Sequence, residues 1–155
     1  MSSASPLYLL DTNILLYLIR GQELGQYIDT TYSLRAQPQR PLVCVVSHGE
    51  TWTLARRNRW GDEKREALRL MLTNLVTVDL HHDDVIEAYV EIEEAADQRP
   101  AGAANMGKND VWIAAVAKVS GATLLTTDHD FDFLFGTHIQ GVRIDPSSKL
   151  PKPTK

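Results

Sequence analysis

Four carboxylates stand where an alternating strand-and-helix chain would gather its chemistry. Asp11 directly follows the apolar run Leu7 to Leu10, and Asp128 follows the run Thr123 to Thr126 after one more threonine. Glu50 falls in the opening turn of a helical stretch after Leu42 to Val46, and Asp110 opens another helical stretch behind a glycine-bearing loop. Each has an ordinary reading when taken alone. Asp11 and Asp110 suit helix N-caps, Glu50 suits the reciprocal partner of Ser47 in a capping box, and Asp128 suits the start of a turn. Taken together they set four like charges converging with no lysine or arginine fixed between them, and such charges raise one another's pKa and destabilise a fold. A hard divalent cation resolves the conflict, because Mg²⁺ or Mn²⁺ takes oxygen ligands. Carboxylate-held ions of this kind most often serve phosphoryl chemistry, activating a water and stabilising charge on the leaving oxygen. The reaction class that follows is hydrolysis or transfer at phosphorus.

Other chemistries find less support. The five histidines show neither HExxH nor a Cys/His ligand spacing, which argues against zinc. There is no GxSxG, GxGxxG or GxxxxGK[ST], so serine-hydrolase, dinucleotide and P-loop sites are not indicated. A phosphatase with Asp11 as nucleophile would want a second aspartate two residues on, where this chain has Asn13. The single cysteine, Cys44, lies in an apolar run and reads as a small buried hydrophobe.

The elements that must position the acids can be read from the pattern. Strands are expected at Leu7 to Leu10, Leu42 to Val46, Val76 to Val78, Thr123 to Thr126 and Val142 to Ile144. Helices are expected over Asn13 to Arg20 with Gly21 as C-cap, from the N-cap Ser47 to about Arg59, and over Asp62 to Leu75 with Ala67, Leu68, Met71, Leu72 and Leu75 on one face. Further helices are expected over Asp83 to Asp97, with Val85, Ile86, Tyr89, Val90 and Ile92 inward, and over Asp110 to Val119. The stretch Gln22 to Pro41 carries no clear pattern. Strands alternating with helices give an α/β fold with a mostly parallel sheet covered on both faces, and binding sites in such sheets form beyond the carboxyl ends of the strands. One domain is expected over residues 1–145, with an unstructured Pro-, Ser- and Lys-rich tail over 146–155.

Charge sharpens the picture locally. The 155 residues carry a formal net charge of −4, so any site for a polyanion must be a patch or a bound metal. Arg56, Arg57, Arg59, Lys64, Arg65 and Arg69 form a basic segment around Trp60, which makes Arg56, Arg57 and Arg59 candidates for RNA phosphates. A solvated helix pair with Trp60 partly buried is the plainer alternative. Trp52 and Trp112, beside the acids in sequence, suit core packing. Lys108, at the end of the small-residue loop Gln98 to Gly107, either reaches toward a phosphate or faces solvent, and the loop itself suits a lid. No stretch is long and apolar enough to span a membrane, and the first residues lack signal-peptide features, so a cytoplasmic setting is expected.

Four segments, in order and spacing, carry a family likeness: Leu9-Leu10-Asp11-Thr12-Asn13-Ile14-Leu15, Val46-Ser47-His48-Gly49-Glu50, Asn109-Asp110-Val111-Trp112-Ile113-Ala114-Ala115 and Leu124-Leu125-Thr126-Thr127-Asp128-His129-Asp130-Phe131. The chain resembles PIN-domain endoribonucleases, most closely the VapC-type toxins of toxin–antitoxin pairs, from about Leu7 to Ile144. The resemblance implies a PIN-like three-layer α/β/α sandwich and a metal-binding, catalytic quartet of Asp11, Glu50, Asp110 and Asp128, bordered by Thr12, Asn13 and Thr127. It also implies RNA as substrate, a homodimer, and a cognate antitoxin whose tail occupies the active-site groove. Asp130 and Asp132 add two acids beside Asp128; Asp130 either assists a metal through water or, as Asp132, is a solvated turn residue. The competing expectation is a catalytically quiet module that uses the acidic pocket to hold a metal or a basic partner peptide.

Overall fold

The computed structural model describes residues 5–101 and 105–147. Five short strands form one parallel sheet: β1 (Tyr8–Leu10), β2 (Leu42–Cys44), β3 (Val76–Val78), β4 (Thr123–Thr126) and β5 (Gln140–Arg143), in the order β3-β2-β1-β4-β5. The register places Leu9 opposite Leu42 on one side and opposite Leu124 on the other. β1 is therefore the central strand, and the acids that follow β1 and β4 come from neighbouring strands.

The pleat explains why the central runs are apolar throughout. Leu9 and Leu124 point into one core layer and Leu10 and Leu125 into the other. All four are essentially inaccessible to water, which stabilises the fold by about 1.5–3 kcal/mol for each such side chain. The first layer is roofed by α5 (Asp83–Asp97) and α6 (Lys108–Ser120) through Val85, Ile92, Val111 and Ala114. The second is roofed by α1 (Thr12–Arg20), α2 (Glu23–Thr31) and α4 (Asp62–Asn74) through Ile14, Ile28, Leu68 and Leu72. The resulting three layers match the expected sandwich.

Several expectations change in detail. The helix after β2, α3 (Val45–Arg57), begins directly behind the strand. Cys44 is its extended N-cap residue, so Ser47 does not cap it and no capping box forms. Ser47 instead lies in the first turn, fully buried against α1. On α5 the buried stripe is Val85, Ala88 and Ile92, while Ile86 and Val90 are 46% and 58% exposed. That helix has one principal neighbour, α6, so only a narrow stripe can be covered. Ala67 of α4 is likewise exposed. The unpatterned stretch after Gly21 contains α2, and a 3-10 segment at His129–Leu134 buries Phe131 and Leu134 behind β4. Gly21 does end α1, at φ 62°, the left-handed region that glycine occupies without penalty. Part of the expected lid (102–104) and most of the expected tail (148–155) lie outside the described residues.

Candidate active site

The carboxyl ends of β1 and β4 converge on Asp11. Its backbone N–H continues the ladder, donating to Leu125 O at 3.0 Å, and its extended dihedrals make it the N-cap of α1. The carboxylate is only 3% exposed and fully engaged. Oδ1 accepts from the Thr12 N–H at 2.7 Å, while Oδ2 accepts from the Thr126 hydroxyl at 2.6 Å and from Asn13 Nδ2 at 3.2 Å. Asn13 in turn accepts from the Thr127 N–H at 3.2 Å, closing a bridge between the β1 and β4 termini. The N-cap reading and the site reading are both fulfilled by one side chain.

The second acid is held from α1. The Thr12 hydroxyl lies 2.8 Å from Glu50 Oε1 and 2.8 Å from Ser47 Oγ. Ser47 and Glu50, three residues apart, share a helix face, and α3 turns that face to α1. On the β4 side, Asp128 receives the Asp130 N–H on Oδ1 at 2.9 Å, the geometry of an aspartate capping the 3-10 turn. Its own N–H donates to Thr126 Oγ1 at 2.9 Å. Asp110 sits in the first turn of α6, half-buried, where the helix dipole favours a negative charge.

These acids share one electrostatic environment. Burial pushes Asp110 up to about 7, helped by the negative charges of Asp11, Asp128, Glu50 and Asp130. Burial likewise pushes Asp11 up to about 6, against the hydrogen bonds from Thr126 and Thr12 and with help from Glu50 and Asp128. Asp110, Asp128 and Asp130 each offer a carboxylate oxygen, and these oxygens lie within 4.8 Å of one another. The expected quartet is thus brought into one neighbourhood, but the tightest group includes Asp130 where Asp11 and Glu50 had been expected. Asp132 goes elsewhere, pairing with Arg143 at 3.0 Å.

The donor chemistry fits a hard divalent cation. Every converging group is a carboxylate or hydroxyl oxygen, and no described lysine or arginine is ion-paired to Asp11, Glu50, Asp110 or Asp128. Burial, and then the neighbouring negative charges, hold Asp11 up to about 6 and Asp110 up to about 7.

The remaining expected residues divide. Thr12 and Asn13 contact the acids directly, whereas Thr127 contributes its backbone. Thr126 and Ser47 were missed as site residues. A threonine at the carboxyl end of an otherwise apolar buried strand was the available signal. Lys108 is tied to Glu93 at 2.6 Å and so is not a free cation. Trp52, Trp60 and Trp112 are partly buried against the two cores, as packing required. A cleft of ≈ 550 Å³ beside Leu18, Leu34 and Met71 holds only Asp29 as an acid, and Arg35 neutralises it at 3.1 Å.

A parallel sheet roofed by helices, with acids crowding the ends of adjacent strands, defines the class before any comparison is made. The PIN domain pattern matches residues 8–134, and the chain belongs to that family. Solved structures of VapBC complexes share its fold. VapBC2 from Rickettsia felis, bound to a promoter DNA fragment, is 20% identical with a TM-score of 0.72 over 88% of this chain and 98% of that one. VapBC-1 from nontypeable Haemophilus influenzae is 22% identical with a TM-score of 0.71, covering 88% and 97%. Mycobacterium tuberculosis VapC20, described as a sarcin–ricin loop cleaving toxin, is 21% identical with a TM-score of 0.59, covering 88% and 99%. No curated protein matches the chain in sequence.

Proposed function

We propose that this chain is a Mg²⁺- or Mn²⁺-dependent endoribonuclease, the toxin of a type II toxin–antitoxin pair, acting as one nuclease unit over residues 1–145. The observation that carries the reading is the convergence of Asp11, Glu50, Asp110 and Asp128, joined by Asp130, from segments far apart in the chain. The likeness to VapBC complexes, one neighbour being described as an RNA-cleaving toxin, supports RNA as substrate and an antitoxin as partner. By the same likeness we propose a homodimer working in the cytoplasm; no helix among the described residues is long and apolar enough to cross a membrane.

In this mechanism Asp11, Glu50, Asp110, Asp128 and Asp130 would hold the cation. When bound, the ion supplies charge neutralisation and lowers the pKa of a water for attack at phosphorus. The protein's own groups set the geometry. Thr126, Asn13 and the Thr12 N–H fix both oxygens of Asp11, so that carboxylate cannot rotate. Thr12 orients Glu50, and the Asp130 N–H orients Asp128. Burial raises Asp110 to about 7, so a cation would have to compete with a proton for it, since ligation requires the ionised form.

The test is cleavage of total cellular RNA by purified protein with Mn²⁺ or Mg²⁺ and with EDTA. Cleavage that requires the ion and is lost in Asp11→Asn and Asp110→Asn is the expected result. RNA left intact by the wild type with either ion, or cleavage unchanged in both variants, overturns the reading. If a small protein is encoded beside this chain, co-expression with it tests the antitoxin assignment by complex formation and inhibition.

A further inference from the structure

The corner between α3 and α4 gathers Arg56, Arg57, Arg59, Lys64 and Arg65 against Asp62, Glu63 and Glu66, the last already paired with Arg69. Arg56 and Arg57 end α3, Arg59 lies in the turn, and Lys64 and Arg65 lie in the first turns of α4. All are exposed, and among the described residues none pairs with a carboxylate, although the chain as a whole carries a net charge of −4. The last-turn arginines suit the dipole of α3, but Lys64 and Arg65 stand near the positive end of α4, where a cation gains nothing from the helix. Arg59 is held at φ 50°, a left-handed conformation that glycine or asparagine would adopt at less cost.

Two indoles organise these cations. Lys64 Nζ lies 4.1 Å from the Trp60 ring centroid and the Arg65 guanidinium 5.9 Å from that of Trp52, and both rings are anchored in the core beside α1. Flexible cations are thus drawn onto fixed platforms with their charge still facing water. Arg65 lies over Trp52, two residues along α3 from Glu50, which ties the corner to that acid. α4 ends at Asn74, two residues before β3 begins at Val76, which pairs with the first residue of β2 at the amino edge. Its thirteen residues span about 20 Å between the corner and that edge. α3 leaves the carboxyl end of β2 to meet it, and Arg56 and Arg57 lie about 10 Å along α3 from Glu50.

We propose that this corner is a backbone track for single-stranded RNA, holding phosphates a few nucleotides from the bond that is cut. The identity of the polymer rests on the ribonuclease reading above. Arg56, Arg57 and Arg59 contact phosphates, and Lys64 and Arg65 on their indoles extend the track. The contacts are with charge and therefore indifferent to sequence.

The test is fluorescence anisotropy of a labelled short oligouridylate with EDTA present, over a potassium chloride series. Arg56→Ala/Arg57→Ala/Arg59→Ala should weaken binding ~tenfold or more and make the log–log salt slope shallower by about 2. Lys64→Ala/Arg65→Ala should act in the same direction, and circular dichroism and thermal melts of both variants confirm that they fold. A uridine dinucleotide with Mn²⁺ is too short to reach the corner, so its turnover should be unchanged while long RNA shows a raised KM. Affinity and slope equal to wild type in the triple variant overturn the proposal. So does retained oligouridylate binding with loss of an oligoglutamate probe, which would make the corner a docking face for acidic protein. The two readings fail separately. RNA binding that depends on these arginines in a chain that cuts nothing keeps the track and removes the nuclease. A chain that cuts RNA with unchanged binding in the variants does the reverse.

Discussion

The hydroxyl of Thr126 donates to Asp11 Oδ2 across 2.6 Å, and Thr126 Oγ1 itself accepts the Asp128 N–H at 2.9 Å. One buried side chain at the end of β4 therefore sets both the carboxylate that follows β1 and the backbone that presents Asp128. Thr126→Val keeps the shape and removes the donor and the acceptor. It should cost about 1–3 kcal/mol in urea unfolding, because the Asp128 N–H and an Asp11 lone pair lose a partner away from water. It should also move the acidic limb of the pH–rate profile upward, since the bond from Thr126 is what lowers the Asp11 pKa most. A profile at the wild-type position would show that Thr126 has no influence on Asp11.

The crowded acids oppose folding when no cation is present. Asp11 is raised from 3.8 to about 6 and Asp110 from 3.8 to about 7. Between the unfolded and folded values the folded chain keeps a proton that the unfolded chain has released. Stability from these groups is therefore present below about pH 4 and is lost as pH rises toward 6 and 7. In EDTA the melting temperature should carry a declining contribution over that window, and Mg²⁺ should flatten it by preferring the ionised acids. An EDTA curve that rises steadily from pH 4 to 7 and is untouched by Mg²⁺ would contradict this.

Neutralising one acid should separate stability from activity. Asp110→Asn removes a charge repelled by Asp11, Asp128, Glu50 and Asp130 while keeping its volume. The variant should unfold at higher urea than wild type in EDTA and at neutral pH, yet lose RNA cleavage. Lower stability than wild type under those conditions would mean that Asp110 serves the fold and not a ligand.

Asp130 and Asp132 should behave differently despite lying two residues apart. Asp130 belongs to the three-carboxylate group, whereas Asp132 is engaged by Arg143 at 3.0 Å. Asp130→Asn should weaken Mn²⁺ binding in calorimetry several-fold, and Asp132→Asn should leave it unchanged with a stability loss of about 0–1 kcal/mol. Equal effects of the two substitutions on Mn²⁺ would refute the distinction.

Gly25 makes a packing prediction away from the acids. A Cβ there would overlap the Tyr17 carbonyl, backbone that cannot move without separating α1 from α2. Gly25→Ala should destabilise the protein by about 1–3 kcal/mol, measured by urea unfolding. A neutral result would show that the two helices slide freely.

Much of this architecture was written in local pattern. The central strands are unbroken apolar runs because both faces are roofed, and runs of that kind at Leu9-Leu10 and Leu124-Leu125 leave little choice of element. Asp11 and Asp128 could be placed because they follow those runs directly. What pattern could not supply was facing. Ser47 had the type and spacing of a cap, and only the abrupt start of α3 at Val45 shows that it looks into the protein toward Thr12. α2 escaped notice because its stability comes from close contact with α1 through Gly25, a tertiary fact with little periodic trace. Asp130 looked like turn chemistry, and its N–H does make the turn. That its carboxylate joins Asp110 depends on α6, which begins 22 residues earlier at Lys108.

The contact between Thr126 and Asp11 spans 115 positions of the chain. A polypeptide emerging from the ribosome therefore has Asp11 and Glu50 long before it has the strand that completes their surroundings. Until β4 slots in beside β1, Asp11 lacks the Thr126 hydroxyl and the acids that follow β4, however much of the chain has already folded. On the nuclease reading proposed above, truncation anywhere before Thr123 should yield a fragment that cuts no RNA.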